Sequence, residues 1–327
     1  MTTTFGGRTL LIGLGAIAVG YDLESREGDT SSPAGRAIRT HATAIQECPA
    51  TSLVGGIDPC EARRSEFEAA FRVPSWESLD EVPAMDADIV VVATPTETHE
   101  RVTAQALTAF SPRLLLCEKP IGASAAETRN ILAMAERCDT TVVVNYFRHH
   151  LPALRDVREM VRRGDFGDLL GGSVLYSHGL RRNGSHFVAL LLWLFGDVQM
   201  CQRTDLEVKG DDPAFTLSFE GAAIEFSSLG QGPVRAAEIC LGFSRGLLRL
   251  ASGGRVISWA EVDGRARVDR PAYGEIQWER FDDMQRCQLP VYEWLTSSNF
   301  VPSDVAEHLW NALRTQDLVD EVTGVTG

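Results

Sequence analysis

The stretch of sequence that decides the fold is TLLIGLGAIA, residues 9–18. An apolar strand pattern runs directly into a GxGxxA motif and the start of a helix, the order found in dinucleotide-binding βαβ units. Gly13 allows a tight turn, Gly15 lets a pyrophosphate approach the backbone, and Ala18 is small enough for close packing of helix on strand. The stretch therefore predicts a dinucleotide-binding loop, with a Gly-rich turn that binds no ligand as the alternative.

Further residues are predicted to contact the dinucleotide directly. The backbone amides of Ala16 and Ile17 would face the pyrophosphate at a helix N-terminus, where unpaired N–H groups and the helix dipole favour an anion. Asp58 follows the apolar run LVGGI and would accept hydrogen bonds from the adenosine ribose, or else cap the next helix. A carboxylate there repels a 2′-phosphate and favours NAD, whereas NADP stays possible if Arg63 and Arg64 fold back to bind it.

The first part of the chain alternates apolar strand patterns with helical patterns. We predict strands at 9–14, 52–58, 87–94, 113–118 and 140–145, and helices at 61–71, 97–110 and 123–138. Continuous apolar strands separated by helices are typical of a doubly wound parallel sheet. A polar segment with Gly and Pro at 22–35 is predicted to be a surface insertion in the first crossover. We therefore predict an α/β fold with an NAD(P)-binding Rossmann domain over residues 1–120.

Short strand patterns cluster in the second half of the chain. They occur at 169–177, 214–219, 222–227, 236–241, 246–250 and 256–260, with helices at 151–163, 186–195 and 303–317. Such clustering indicates a large, open and mostly antiparallel sheet rather than further βαβ units. Residues 121–327 are therefore predicted to form a second, α+β domain.

Size and composition limit the classes of function. A chain of 327 residues is longer than one hydrophobic core usually supports, which favours two domains. Its net charge of −14 argues against nucleic-acid and anionic-membrane partners, and no uncharged run reaches the ~18 residues that a membrane span requires. The seven cysteines form no CxxC pair and are interpreted as reduced core thiols, so a cytoplasmic location is expected. Because His149, His150 and His178 lack metal-ligand spacing, no metal site is predicted.

Lysine is almost absent from the chain, which contains only Lys119 and Lys209. Lys119 follows the apolar run LLLC and Glu118, which we assign to cofactor binding, and Pro120 comes next. An ammonium group can be deprotonated in a protein whereas a guanidinium group cannot, so a lysine kept at a strand end points to proton chemistry. A surface lysine that caps the strand is the alternative.

Two more groups of polar residues follow strand patterns. The sequence ATPTETH, residues 93–99, lies where the third long strand ends, at the edge where doubly wound sheets bind ligands. We assign Thr94, Pro95 and His99 to cofactor binding, although Thr94 also suits a capped turn. The residues that follow the strand at 140–145 are assigned to substrate hydroxyls or the nicotinamide amide: Asn145 and Arg148.

The motifs occur in one order along the chain: GxGxxA, Asp58, ATPTxxH, CEKP at 117–120, VNYFR at 144–148 and GSH at 184–186. In this order they resemble the glucose-fructose oxidoreductase / inositol dehydrogenase / rhizopine-catabolism (Gfo/Idh/MocA) family of NAD(P)-dependent oxidoreductases, over roughly residues 8–200. The resemblance implies a Rossmann domain and a substrate-binding domain whose open sheet commonly forms an oligomer interface, here in a homodimer or homotetramer. It also implies that Lys119 and His186 lie beside the nicotinamide.

The chemistry expected of these two side chains agrees with that placement. Oxidation of a secondary alcohol removes the hydroxyl proton as hydride leaves the carbon, and an imidazole titrates near the required pH. We predict that His186 is this acid/base, with a helix cap as the alternative. Lys119 would stabilise the negative charge that develops on the same oxygen.

The chain departs from the family pattern near His186. Members with the best-known catalytic triad carry aspartates at the positions of Arg182 and Ala189. The sequence NGSHF at 183–187 instead resembles a branch often associated with sugar metabolism in polysaccharide or natural-product pathways. Asn183 is assigned to orienting substrate or His186, and Arg182 to binding an anionic substrate such as a sugar acid or nucleotide sugar, with a solvated arginine as the alternative.

The predicted function is that of an NAD(P)-dependent dehydrogenase or ketoreductase for a secondary alcohol or ketone of a sugar, cyclitol or sugar derivative. One alternative is a glycoside hydrolase of the same fold that oxidises its substrate transiently and regenerates bound NAD. Another is a non-catalytic protein that senses dinucleotide or sugar, although the presence of both Lys119 and His186 argues against it.

Overall fold

A six-stranded parallel sheet organises the first part of the computed structural model, which describes residues 7–24, 37–204, 213–263, 274–281, 283–298 and 300–324. Its strands are β1 Arg8–Ile12, β2 Ser52–Ile57, β3 Ser75–Trp76, β4 Ile89–Val92, β5 Leu114–Cys117 and β6 Thr141–Val144. They lie in the order β3-β2-β1-β4-β5-β6, the Rossmann arrangement. Every side chain of β4 and β5 is buried, as expected for central parallel strands. The predicted doubly wound sheet is confirmed.

Five described α-helices lie between these strands, and the last three begin and end near the predicted residues. They are α1 Tyr21–Glu24, α2 His41–Glu47, α3 Glu61–Phe71, α4 His99–Phe110 and α5 Ala125–Arg137. The α3 bounds match the prediction, whereas α4 starts later because Thr96–Thr98 form a 3-10 turn first. The start of α5 is a capping box, in which the Ser124 hydroxyl accepts from the Glu127 amide and the Glu127 carboxylate accepts from the Ala123 amide.

The chain divides into two compact units, and the division differs from the predicted boundary at residue 120. The first unit comprises Met1–His150 with Gln285–Leu313, and the second comprises Leu151–Met284 with Arg314–Thr326. Residues beyond 120 belong to the first unit because β6 pairs with β5 along its whole length. Helix α8 Leu289–Leu295, which the sequence did not predict, returns to the first unit and contributes to its hydrophobic core.

The second unit is built around an eight-stranded sheet. Its strands are β7 Leu169–Tyr176, β8 Met200–Arg203, β9 Phe215–Phe219, β10 Ala222–Ser228, β11 Ala237–Phe243, β12 Gly246–Ala251, β13 Val256–Glu261 and β14 Glu275–Phe281, in the order β14-β13-β12-β11-β7-β10-β9-β8. Only β7 and β10 pair in parallel among these described strands, so the predicted mostly antiparallel sheet is confirmed. The edge strands β8 and β14 were missed because most of their side chains are exposed and lack the apolar alternation of β10.

Three further helices complete the described chain: α6 Pro152–Arg163, α7 Ser185–Phe195 and α9 Pro302–Thr323. Helix α9 extends past the predicted bounds of 303–317, and the boundary between the units falls within it, before Arg314. None of the described helices combines the length and apolar character that a membrane span needs. Most of the predicted insertion at 22–35 lies outside the described residues.

All seven cysteines are free thiols, but they are not all core residues. Cys48, Cys117 and Cys287 are buried, whereas Cys60 is exposed immediately before α3. The prediction of core thiols is therefore wrong for Cys60, because this residue lies at the exposed start of a surface helix.

Candidate active site

The Gly-rich loop after β1 has the backbone geometry that its motif predicts. The Gly13 amide donates to the Ile57 carbonyl at 2.8 Å, and Gly13 has a φ of +89°, which favours glycine. A Cβ atom on Gly13 would lie 2.6 Å from the carbonyl oxygen of Ala93, whereas one on Gly15 would meet no described atom within 4 Å. The fold thus requires Gly13, while Gly15 borders open space.

Ala16 and Ile17 occupy the first two positions of the π-helical turn Ala16–Gly20, which leads into α1. The last two amides of this turn both donate to the carbonyl oxygen of Gly15, at 2.9 and 3.2 Å. The amides of Ala16 and Ile17 precede the first hydrogen bond of the turn, as a phosphate-binding loop requires. Their contact with a cofactor stays a prediction.

Asp58 lies directly after β2, is 3 % exposed, and has its carboxylate held by the chain itself. Its Oδ2 accepts from the Leu14 amide at 2.8 Å and lies 3.5 Å from Nη1 of Arg63, while Oδ1 accepts from the Cys60 amide at 2.9 Å. Nη1 of Arg64 donates to the Asp58 carbonyl oxygen at 2.8 Å. The carboxylate therefore joins the Gly-rich loop to Cys60, which is itself the N-cap residue of α3. Its contact with a ribose stays a prediction.

Side-chain hydrogen bonds fix the turn after β4. The Thr98 hydroxyl lies 2.8 Å from Thr94 Oγ1 and 2.7 Å from the carbonyl oxygen of Pro95. His99 is completely buried, with Nε2 2.9 Å from the Thr94 carbonyl oxygen and Nδ1 3.0 Å from that of Pro120. The contact of His99 with a cofactor stays a prediction. Because both ring nitrogens face backbone oxygens, His99 links the Thr94 turn to the segment that carries Lys119.

Lys119 lies directly after β5 and is half-buried, beside a carboxylate that points into the first unit. Glu118 Oε1 accepts from Asn145 Nδ2 at 2.7 Å and faces His41 Nε2 at 3.0 Å, while Oε2 lies 3.3 Å from the Lys119 amide. Burial by itself would raise the pKa of Glu118, but the hydrogen bonds from His41 and Asn145 and the charge of Lys119 lower it overall. Glu118 is therefore an anion held by its own unit next to Lys119, and its contact with a cofactor stays a prediction.

Asn145 and Arg148 follow β6 and are buried in the first unit. Asn145 Nδ2 also lies 3.2 Å from Gln288 Oε1, whereas Asn145 Oδ1 is buried without a hydrogen-bond partner among the described residues. Burial lowers the pKa of Arg148 to about 10, so its guanidinium is still charged at neutral pH, and it lies 4.7 Å from the centre of the Phe147 ring. Asn145 thus offers a buried acceptor to a ligand, while the substrate role of Arg148 stays a prediction.

His41 is a further member of this site, to which sequence reasoning did not assign it. It opens α2, is completely buried, and has Nδ1 2.8 Å from the hydroxyl oxygen of Tyr292 on α8. Tyr292 and Gln288 were not singled out at all. No short-range signal identifies these residues, because their partners lie far away in the sequence.

The predicted residues of the second unit surround the turn between β7 and α7. His178 has a φ of +63° and Gly179 a φ of +96°, so the chain reverses sharply after β7. Asn183 Nδ2 donates to the Ser177 carbonyl oxygen at 2.8 Å, which stabilises this reversal rather than presenting the amide to a substrate. His186 lies in the first turn of α7 and is half-buried, whereas the rest of that helix is largely buried.

Arg182 is exposed in this turn, in agreement with the solvated alternative. Its neighbour Arg181 pairs instead with Asp320 on α9, at 2.6 Å. The predicted convergence of Lys119, in the first unit, with His186, in the second, stays a prediction. Within the described ranges, no group of three or more His, Cys, Asp or Glu side chains is arranged to hold a metal ion.

Relatives of known sequence match part of the chain. The model of the GFO_IDH_MocA oxidoreductase family, with an NAD-binding Rossmann fold, matches residues 34–146. The rhizopine catabolism protein MocA of Rhizobium meliloti is 32% identical over 137 residues, which are 42% of this chain and 42% of that protein. Inositol 2-dehydrogenase of Leifsonia xyli is 34% identical over 133 residues, 39% of this chain and 37% of that protein. The match thus spans about two fifths of the length of these relatives.

Solved structures share the fold over nearly the whole chain. KijD10, a 3-ketoreductase from Actinomadura kijaniata in complex with NADP and TDP-benzene, aligns with a TM-score of 0.72 at 17% identity and covers 97% of this chain and 96% of its own. The WlbA dehydrogenase from Bordetella pertussis, in complex with NADH and UDP-GlcNAcA, aligns with a TM-score of 0.67 at 16% identity, covering 99% and 97%. Such distant similarity establishes the two-domain fold alone. Residues 34–146 of the chain thus resemble the NAD-binding Rossmann domain of the Gfo/Idh/MocA oxidoreductases.

Proposed function

We propose that the protein is an NAD(P)-dependent oxidoreductase that transfers hydride between nicotinamide and a secondary alcohol or ketone of a sugar, cyclitol or sugar derivative. The observation that carries the proposal is Lys119, which is placed at the carboxyl end of β5 between Glu118 and the Pro120 segment bound by His99. Ligands of doubly wound sheets bind at this edge, and an ammonium group there can stabilise charge on a substrate oxygen.

The residues of the first unit fit a dinucleotide. Gly15 has no Cβ atom, and a Cβ placed there would meet no described atom within 4 Å, so a pyrophosphate has room beside this backbone. The amides of Ala16 and Ile17 precede the first hydrogen bond of the adjoining turn. The buried Oδ1 of Asn145 is an acceptor suited to the carboxamide of a nicotinamide or to a substrate hydroxyl. Bound NAD or NADP would supply the hydride acceptor or donor.

The protein's own residues would move the proton and orient the substrate. In the oxidative direction, His186 would take the hydroxyl proton, and Lys119 would hydrogen-bond the same oxygen as its negative charge develops. In the reductive direction, His186 would return the proton to the carbonyl oxygen. His99 would hold the segment that carries Lys119, and Asp58 would hold the Gly-rich loop, without contacting the reacting atoms.

The substrate class is supported by the names of the relatives. An inositol 2-dehydrogenase matches part of the chain in sequence, and a 3-ketoreductase and a dehydrogenase with a bound nucleotide sugar share the fold. We also propose that the protein acts in the cytoplasm as a homodimer or homotetramer, as the family resemblance implies. Size-exclusion chromatography with light scattering tests the oligomeric state.

The test of the proposed function is a screen of polyols, sugar acids and nucleotide sugars, with NAD and NADP supplied separately and reduced nicotinamide followed by absorbance. Lys119→Ala and His186→Ala should each abolish turnover while leaving dinucleotide affinity, measured by calorimetry, nearly unchanged. Lys209→Ala, which removes the other lysine of the chain, is the matched control and should keep wild-type rates. Wild-type rates in both the Lys119 and the His186 variants would contradict the mechanism.

A further inference from the structure

We propose that Tyr292, His41 and Glu118 form a buried hydrogen-bond relay that fixes the Glu118 carboxylate beside Lys119. In this arrangement His41 and Tyr292 are positioning residues for hydride transfer, so the inference rests on the proposed function. Neither residue is needed to explain the dinucleotide loop, and neither would touch the substrate.

The geometry joins three separate elements of the first unit. The Tyr292 hydroxyl on α8 lies 2.8 Å from His41 Nδ1, and His41 Nε2 on α2 lies 3.0 Å from Glu118 Oε1 after β5. Tyr292 and His41 are both completely buried, and their rings meet edge to face at 6.0 Å between centroids. The Tyr292–His41 hydrogen bond is fully buried and the Glu118 side chain is only 14 % exposed, so water competes little with these hydrogen bonds and each one constrains its partners.

The chemistry of the three groups sets the direction of the relay. An ionised carboxylate only accepts hydrogen bonds, so His41 Nε2 carries the proton and donates to Glu118. His41 Nδ1 is then an acceptor in the neutral imidazole, and the Tyr292 hydroxyl donates to it. Burial raises the pKa of Tyr292 well above its ordinary value, which keeps the phenol protonated and able to donate. Each proton in this arrangement has an acceptor.

The relay ends at a carboxylate that several ionisable groups face. They are His41 on α2, Tyr292 on α8, and Cys117 and Lys119 at the end of β5. Asn145 adds a neutral donor at 2.7 Å. With these donors, the partly buried Glu118 carboxylate stays negative beside Lys119. Losing the His41 donor would raise the pH at which Glu118 binds a proton.

The experiment compares His41→Leu, which removes the donor, with His41→Gln, whose amide can still donate to Glu118. The pH profile of kcat/KM is measured for both, together with dinucleotide affinity. We expect His41→Leu to move the acid limb to higher pH and to lower kcat/KM at least about tenfold on that side. His41→Gln should keep the acid limb near that of the wild type, and both variants should bind dinucleotide as the wild type does.

A His41→Leu profile that overlays the wild type, or equal losses in the two variants at all pH values, would overturn the relay in favour of a purely structural role. Should His41→Leu fail to fold, Tyr292→Phe decides the matter, with Tyr21→Phe as the exposed control. Tyr292→Phe should lower kcat several-fold with little change in KM, and unchanged kinetics in it would also overturn the relay.

Failure of the proposed function is distinguishable from failure of the relay. If the wild-type protein transferred hydride with none of the substrates tested, the proposed function would be contradicted. Thermal unfolding of the same variants against pH would still decide the relay, because it needs no turnover. The relay predicts that His41→Leu is less stable than the wild type at neutral pH and loses less further stability as the solution is acidified, because the folded-state pKa of its Glu118 is no longer held as far below the unfolded-state value.

Discussion

Two glycines of one loop meet different physical needs. Gly13 has a positive φ and a backbone oxygen 2.6 Å from where its Cβ would be, whereas Gly15 has extended backbone and open space around it. Gly13→Ala should therefore destabilise the protein by at least about 1–2 kcal/mol, since an L-residue is strained there.

Gly15→Ala should leave the melting temperature nearly unchanged and weaken dinucleotide binding, because its methyl group would occupy the space of the pyrophosphate. Thermal unfolding and calorimetric titration with NAD, run on both variants, check the pair. A Gly15→Ala protein that binds NAD as tightly as the wild type would show that the loop does not hold the pyrophosphate.

Glu118 makes stability depend on pH in a direction that its surroundings determine. Its pKa in the folded protein is lowered from the ordinary value of 4.5, so the stabilisation is fully present above that value and is lost as the pH falls through the folded-state pKa. Glu118→Gln should cost about 1.5–3 kcal/mol at neutral pH and flatten the decline in acid. Melting temperatures from neutral to acid pH measure this effect. Glu97→Gln, at an exposed carboxylate, should retain the wild-type curve.

At the scale of elements, the helices that carry their own start signals were predicted well. α5 begins at Ser124, whose hydroxyl lies 3.2 Å from the Glu127 amide, and α3 matches its predicted bounds. Capping and apolar periodicity depend on residues that are close in sequence, so the sequence alone predicts the bounds of these helices. Helix α8 and the edge strands β8 and β14 were missed because their formation depends on neighbours that are remote in sequence.

The Ser124 cap gives a prediction at this scale. Ser124→Ala should destabilise the protein by about 1 kcal/mol, because the Glu127 amide loses its acceptor at the start of α5. Ser124→Asp, which restores an acceptor, should recover most of the loss. Chemical denaturation of the three proteins measures the difference. Equal stability of Ser124→Ala and the wild type would contradict the capping role.

At the scale of the whole molecule, the first unit is discontinuous in sequence. Its core includes Val291, Tyr292 and Trp294 of α8, which the chain supplies only after the second unit has been completed. A fragment of residues 1–150 should therefore fail to form a cooperatively folded domain, because it lacks these apolar side chains.

Joining residues 285–313 to that fragment through a flexible linker should restore a cooperative thermal transition and slow amide exchange. Circular dichroism and hydrogen exchange on the two proteins check this expectation. Cooperative unfolding of the shorter fragment, with protection equal to that of the joined protein, would show that α8 is dispensable.

The sequence by itself determined the parallel first sheet, the mostly antiparallel second sheet, the Gly-rich loop and the position of Lys119 at a strand end. These features are encoded in runs of neighbouring residues, where the apolar period and glycine placement act locally. Only the tertiary structure decided that the first unit extends to His150 and includes α8. It also decided that Asp58 and His99 bind backbone groups of their own unit. The relay from Tyr292 through His41 to Glu118 is likewise visible only in the structure. The physical reason is that burial and hydrogen bonding join residues hundreds of positions apart, and no local pattern records those pairings.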